Sequence, residues 1–382
     1  MSRKITQRGA AAVCFVLVVC VAAAKGEPQP AVSVEQVRAV WTQREAKVAT
    51  ARFEWDKRET LAKGAHNGIA LARKDNRPHP PSDLVIDGKC VLCIEGGMLR
   101  YEYEGAVWSI KDYAAIPVKR IATYDGKVYK EVVSNTPHVP YPTAAIVPHA
   151  TGSEFNDFAI RPLWLAVRGN QSIEKGYPLP LYETSGQVLQ VATRPCLEFV
   201  KKDRGGEQVM QLFLDRDRDF LPVRYTEINN KSILVRKLEV EYQPHAEIEW
   251  VPKRWEFVSR FQTGAPSLSV ACKLTSFVCN PSFPEGTFDA AIPPKSHVTD
   301  LTTGKERQYV IQPDGQKGKA VEVDRKPPSY EELAAAGPEV STPRALWVVV
   351  AIVVGVTLIA FLVLWFQWRG GSHAHPRPQQ ES

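Results

Sequence analysis

No catalytic signature runs through this chain of 382 residues. GxSxG, a P-loop and GxGxxG are all absent, which removes the usual sequence support for hydrolase, nucleotide and dinucleotide chemistry. The histidines His66, His79, His138, His149, His245 and His297 are scattered, and none forms HExxH or another ligand spacing. Charge of one sign is missing too. The formal net charge of +6 is spread along the chain without a long basic stripe, so nucleic-acid binding is not expected. Asp215-Arg-Asp217-Arg-Asp219 begins like a calcium loop. Phe220 stands where that loop needs glycine and Thr226 where it needs glutamate, so a charged hairpin turn is the better reading. These gaps predict no metal, no cofactor and no enzyme.

Cysteine is sparse and unpaired in number. Of 7 cysteines, Cys14 and Cys20 fall in an N-terminal apolar stretch, which leaves Cys90, Cys93, Cys196, Cys272 and Cys279. An odd set cannot pair fully within one chain. Cys90 and Cys93 lie in a strand-like run, where positions three apart point to opposite faces. Buried thiols, one or two disulfides, and a zinc site shared with Cys272 and Cys279 are the readings open at this level.

Two apolar runs are present. Ala345 to Phe366 reads ALWVVVAIVVGVTLIAFLVLWF with no charge. About 20 such residues in a helix cross a hydrocarbon core of about 30 Å. Trp347, Trp365 and Trp368 suit the two interfaces. At the other end, Arg3, Lys4 and Arg8 precede the apolar Ala10 to Ala24, which closes on three alanines. That is the layout of a secretory signal peptide. The expected organisation is a signal peptide over 1–26, an exported domain over 27–312, a flexible stalk over 313–344, a transmembrane helix over 345–368 and a cytoplasmic tail over 369–382. The stalk is assigned because periodicity is lost and Lys, Glu, Pro and Gly dominate.

Within the exported part, Ser33 to Thr50 reads as an amphipathic helix with Val37, Val40, Trp41, Arg44 and Val48 at helical spacing. Alternation of period two follows. Phe53 and Trp55 alternate with Arg52, Glu54 and Asp56. Leu99, Tyr101 and Tyr103 alternate with Arg100, Glu102 and Glu104. Leu212 with Leu214, Tyr242 in its strand, and Trp255 with Phe257 repeat the pattern. Turn signals such as Asp87-Gly88, Glu95-Gly96-Gly97 and Asp125-Gly126 separate the runs. One apolar and one charged face on successive strands predict an antiparallel sheet of roughly ten to twelve strands, buried on one side. Thr136 to Pro195 breaks the rhythm, with a short helical piece near Asp157 to Arg168 placed over the apolar face.

The order of these pieces carries a resemblance. A helix runs into Arg52-Phe53-Glu54-Trp55, and a hairpin follows at Tyr124-Asp125-Gly126-Lys127. Leu212-Phe-Leu-Asp215, a turn, and Leu221-Pro-Val-Arg-Tyr225 come next. Trp250-Val-Pro252 with Trp255-Glu256-Phe257 and the run Phe288 to Asp300 complete the set. From about Val32 to Asp300 the chain resembles the LolA/LolB superfamily, the fold of the outer-membrane lipoprotein carrier and its relatives. The resemblance implies an α+β fold: a large curved antiparallel sheet, an incomplete β-barrel, wrapped around helices. It also implies an apolar cavity for acyl chains. Phe53, Trp55, Leu99, Tyr101, Tyr103, Leu212, Leu214, Tyr242, Trp255 and Phe257 are the candidate lining. A spanning helix departs from a soluble shuttle. The expectation is therefore a single-pass protein of a bacterial inner membrane with its domain in the periplasm, binding lipid or the acyl chains of lipoproteins. The alternative is an envelope sensor or scaffold that contacts a protein partner.

Overall fold

The structure is a computed structural model that describes residues 32–67, 74, 76–134, 139–148, 158–170, 181–202, 205, 208–261, 263–323 and 327–339. The expected signal peptide, transmembrane helix and tail lie outside the described residues. Among the described residues no helix is long and apolar enough to cross a membrane.

Helix α1, Val34–Ala46, starts on a capping box: Ser33 Oγ accepts from the Gln36 amide at 3.3 Å, and the Ser33 amide donates to Gln36 Oε1 at 2.8 Å. It ends earlier than its periodicity suggests, because Thr50 already opens the first strand. Strands β1 (Thr50–Leu61), β2 (Leu84–Glu95), β3 (Met98–Ser109), β4 (Ala114–Tyr124), β5 (Tyr129–Ser134) and β6 (Thr143–Val147) follow. Helix α2, Arg161–Val167, interrupts them with Pro162 in its first turn. Then come β7 (Glu183–Val191), β8 (Arg194–Lys202), β9 (Gln208–Asp215), β10 (Leu221–Asn229), β11 (Leu234–His245), β12 (Glu249–Arg260) and β13 (Pro266–Cys279). The C-terminal part adds β14 (His297–Asp300), β15 (Arg307–Val310), β16 (Val321–Glu322) and helix α3 (Tyr330–Ala335).

All sixteen strands form one sheet, in the order β16-β15-β14-β6-β5-β4-β3-β2-β1-β13-β12-β11-β10-β9-β8-β7. It is large, open, curved and mostly antiparallel, with few helices. Each turn signal in the sequence delivers the next strand to a neighbour, except at two places. β1 pairs with both β2 and β13, so the ends of the main region meet at its centre. β14 pairs with β6 in parallel. The count exceeds the ten to twelve expected because β6, β14, β15 and β16 have only 2 to 5 residues, too few for alternation to register.

The expected stalk over 313–344 is folded over most of its described length. Gly318 N donates to Val310 O, Lys319 N to Gly337 O and Glu339 N to Lys317 O, each at 2.9 Å. Leu333 on α3 is fully buried, and Tyr330 stacks on Tyr141 with ring centroids 3.7 Å apart. These contacts are to residues far away in sequence, so local composition does not reveal them. We refer to residues 312–339 as the lap.

Candidate binding site: the apolar face of the sheet

Strict alternation places the ten candidate residues on one face. Across the strands, Phe53 pairs with Leu92 and Leu92 with Tyr101, while Trp55 pairs with Cys90 and Cys90 with Tyr103. On the other wing Leu212 pairs with Tyr225, Tyr225 with Leu238, and Leu238 with Phe257. Phe53, Trp55, Leu99, Tyr101, Tyr103, Leu212, Leu214, Tyr242, Trp255 and Phe257 belong to a single core cluster, and none is more than 7% exposed. Trp55 sits between Tyr101 and Trp255, with centroids at 6.0 and 6.1 Å.

Two helical pieces fill the concavity. Val37 and Trp41 of α1 are buried against it. In α2 the sequence Pro-Leu-Trp-Leu-Ala-Val is buried at every position from Pro162 to Val167. After Arg161 this short helix is apolar on every side and has no wet face, so it is held as a plug. Just before it, Phe158 stacks on Phe257 at 3.7 Å and Ala159 O accepts from Trp255 Nε1 at 3.1 Å. Among the described residues, then, the apolar face is packed where an acyl cavity is expected. Burying each such aromatic stabilises by about 1.5–3 kcal/mol relative to exposure.

Two buried arginines hold the plug, and sequence reasoning missed their role. Arg44 Nε donates to Ala166 O at 2.6 Å, its Nη1 to Ile248 O at 2.6 Å and to Asp219 at 3.0 Å, and its Nη2 to Trp250 O. Arg168 reaches Val48 O, Ala49 O and Val167 O at 2.7 to 2.9 Å and Gly96 O at 3.2 Å. A planar fork of five donors satisfies carbonyls that the helix ends would otherwise leave orphaned. Burial pushes both guanidinium pKa values below the ordinary range. The signal for Arg44 was its place on the buried stripe with Val37 and Trp41.

The opposite face is charged, and it carries the open hollows. One of about 920 Å³ has exposed Asp56, Arg58, Asp87, Lys89, Glu104, Arg254 and Lys273 as walls, over Gly88, Gly105 and Ala271. The Tyr103 ring lies across both glycines from the buried side; a Cβ on Gly105 would stand 2.6 Å from its hydroxyl oxygen. A second hollow of about 700 Å³ shares Arg254 and Ala271 and extends to Glu239, Glu241, Glu256 and the turn at Val191–Arg194. Of the ten candidates, only Tyr242 and Trp255 border either hollow.

Reactive chemistry finds little footing. All five described cysteines are free, with Cys90, Cys93, Cys196 and Cys272 buried. Burial, with Asp215 nearby, pushes the Cys196 thiol up to about 11, and burial with Glu247 pushes Cys279 up to about 12. Such thiols stay protonated and are poor nucleophiles. No cluster of three or more metal-ligating side chains occurs among the described residues. The turn after β9 holds a buried Asp215 between Arg194 and Arg218, and Asp219 pairs with Arg44, so its charges are spent on structure.

No protein-family model matches the chain, and no curated protein does. Solved structures do. A DUF1329 family protein from Desulfovibrio piger is 11% identical, with a TM-score of 0.35 over 68% of this chain and 99% of that one. A putative outer membrane lipoprotein-sorting protein domain from Vibrio parahaemolyticus is 9% identical, with a TM-score of 0.37 over 67% and 97%. A LolA superfamily protein from Nitrosomonas europaea is 11% identical, with a TM-score of 0.33 over 66% and 97%. At these scores no residue role, ligand or activity passes from those proteins to this one.

Proposed function

We propose that this is a membrane-anchored binding protein of the cell envelope that accepts a lipid, or the acyl chains of a lipoprotein, on the apolar face of its sheet. One observation carries the reading: a single continuous apolar face, from Leu99 to Leu214, is covered by short helical pieces rather than by a second sheet. From Pro162 to Val167 the α2 plug is apolar and buried at every position, the same chemistry as an acyl chain. Exchange of one for the other keeps the face dry, and each buried methylene contributes about 0.8 kcal/mol. The anchor is the 345–366 run, and export follows from the N-terminal signal. No step here needs a catalyst.

A second reading has its own observation. The hollow of about 920 Å³ on the charged face is open, with cations and anions interleaved along its walls. That surface suits a protein partner, in keeping with an envelope sensor or scaffold.

Membranes holding the full chain, loaded with a photoreactive acyl phospholipid, test the first reading. Crosslinks are expected in peptides carrying Phe158 to Val167 or Trp255 to Phe257. Labelling confined to 345–366 would sink it, and a protein crosslink centred on Arg254 would favour the second.

A further inference from the structure

The geometry points to a domain held directly on the bilayer, with the β15–β16 edge and its lap facing the phospholipid headgroups. The inference rests on the proposed anchor and goes beyond it. Composition alone makes residues 313–344 a stalk, which as a flexible chain would spread over about 30 Å and reach more than 100 Å when taut. The lap removes most of that length. Its first return is at Lys317 and Gly318, which bridge to Ile311 and Val310. Its last fixed point is Glu339, whose amide bonds Lys317 O at 2.9 Å and whose carboxylate meets Lys317 Nζ at 3.2 Å. From Glu339 to Ala345, where the uncharged run begins, there are six Cα steps, at most about 22 Å of chain.

The contour limit holds whatever shape those few residues take. It fixes which part of the domain is nearest the membrane: the edge where β15, β16 and α3 meet. This edge presents Lys319, Lys305, Glu322 and the turn around Asp314 to solvent. Its backbone edge is nearly used up, since β16 is only two residues long. A short, polar, charged margin is what an aqueous headgroup layer tolerates, whereas an apolar one would insert. Cargo must therefore come to the domain at the membrane surface; the domain cannot carry it across the envelope.

Gly318 makes the lap breakable without touching the main core. A Cβ at this position would stand 2.5 Å from Val310 O, so Gly318→Val must displace the returning strand. The test uses the full chain in phosphatidylethanolamine–phosphatidylglycerol vesicles containing an acceptor-labelled lipid, with a fluorescent amino acid in place of Asp314. Energy transfer to the bilayer is expected to be high and to fall by about half when 20 Gly/Ser residues, worth about 25 Å, are inserted after Glu339. Gly318→Val should lower it as well and open trypsin cleavage at Lys317 and Lys319. Transfer that ignores the insertion overturns the inference, as does cleavage at Lys317 in the unmodified chain as fast as in the variant. Release of the unmodified chain by alkaline carbonate would instead remove the anchor itself.

Discussion

The main sheet and the lap are built by different rules. From β1 to β13, long strands bury alternate side chains under two helices, and the core is one contiguous cluster. From β14 onward, short strands surround a small cluster of Val132, Ala144, Ala290, Val298, Tyr309 and Ile311. This small cluster takes Val132 and Ala144 from β5 and β6, so the C-terminal part depends on the main sheet while the main core does not depend on the C-terminal part. Stability should therefore be asymmetric: damage to the large core unfolds both regions, and damage to the small one opens only the C-terminal part.

The largest effect is expected at the large core. Trp255→Ala removes a ring packed on Trp55 and the donor to Ala159 O, and should cost about 3–5 kcal/mol in denaturant unfolding, with both regions melting together. Next, Arg168→Met orphans the carbonyls of Val48, Ala49 and Gly96, for a loss of about 2–4 kcal/mol. Arg168→Lys should not restore it, because one ammonium lacks the planar fork. Loss of amide-exchange protection should begin near Val48 and Val167. Leu333→Ala breaks the comparison from the other side. About 2 kcal/mol is lost locally, seen as faster proteolysis within the lap at an unchanged midpoint for the main sheet; a lowered midpoint would mean the regions are one unit.

The smallest effect belongs to the charged face. Arg58 and Asp87 pair at 2.8 Å but are both well exposed, so Arg58→Ala should leave thermal stability unchanged at neutral pH. The hydrogen bond from Arg58 holds the Asp87 carboxyl below its usual range. A carboxylate depressed in the folded state stabilises above its unfolded pKa, and the benefit is lost as pH falls through the folded value. Any difference between wild type and variant should therefore shrink as pH falls below about 4. A difference that grows on acidification would contradict the pairing.

What could be read in advance follows the same division. Alternation marked Phe53, Trp55, Tyr101, Trp255 and Phe257 as one face because period two is a local property, carried by neighbours in the chain. The pairing of β1 with β13 left no such trace, since Ala51 and Cys279 are neighbours in the sheet but stand at the two ends of the intervening chain. The buried Arg44 and Arg168 were hidden by their charge: what they bond is backbone carbonyl, which every residue has. The lap looked disordered because its contacts, Tyr330 on Tyr141 and Lys319 on Gly337, depend on distance in space. The site was legible as a face. That α2 fills it was anticipated only as a helix lying over the sheet.

The meeting of β1 with β13 has a consequence in time. A chain is made N-terminus first, and β1 waits for a neighbour on one side until Cys279 has been added. Until then its edge, with Phe53 and Trp55 beside it, is open to any other strand. Contacts this distant in sequence form slowly, and the half-made sheet is the aggregation-prone species. The yield of folded protein, more than thermal stability, should thus respond to changes in β13.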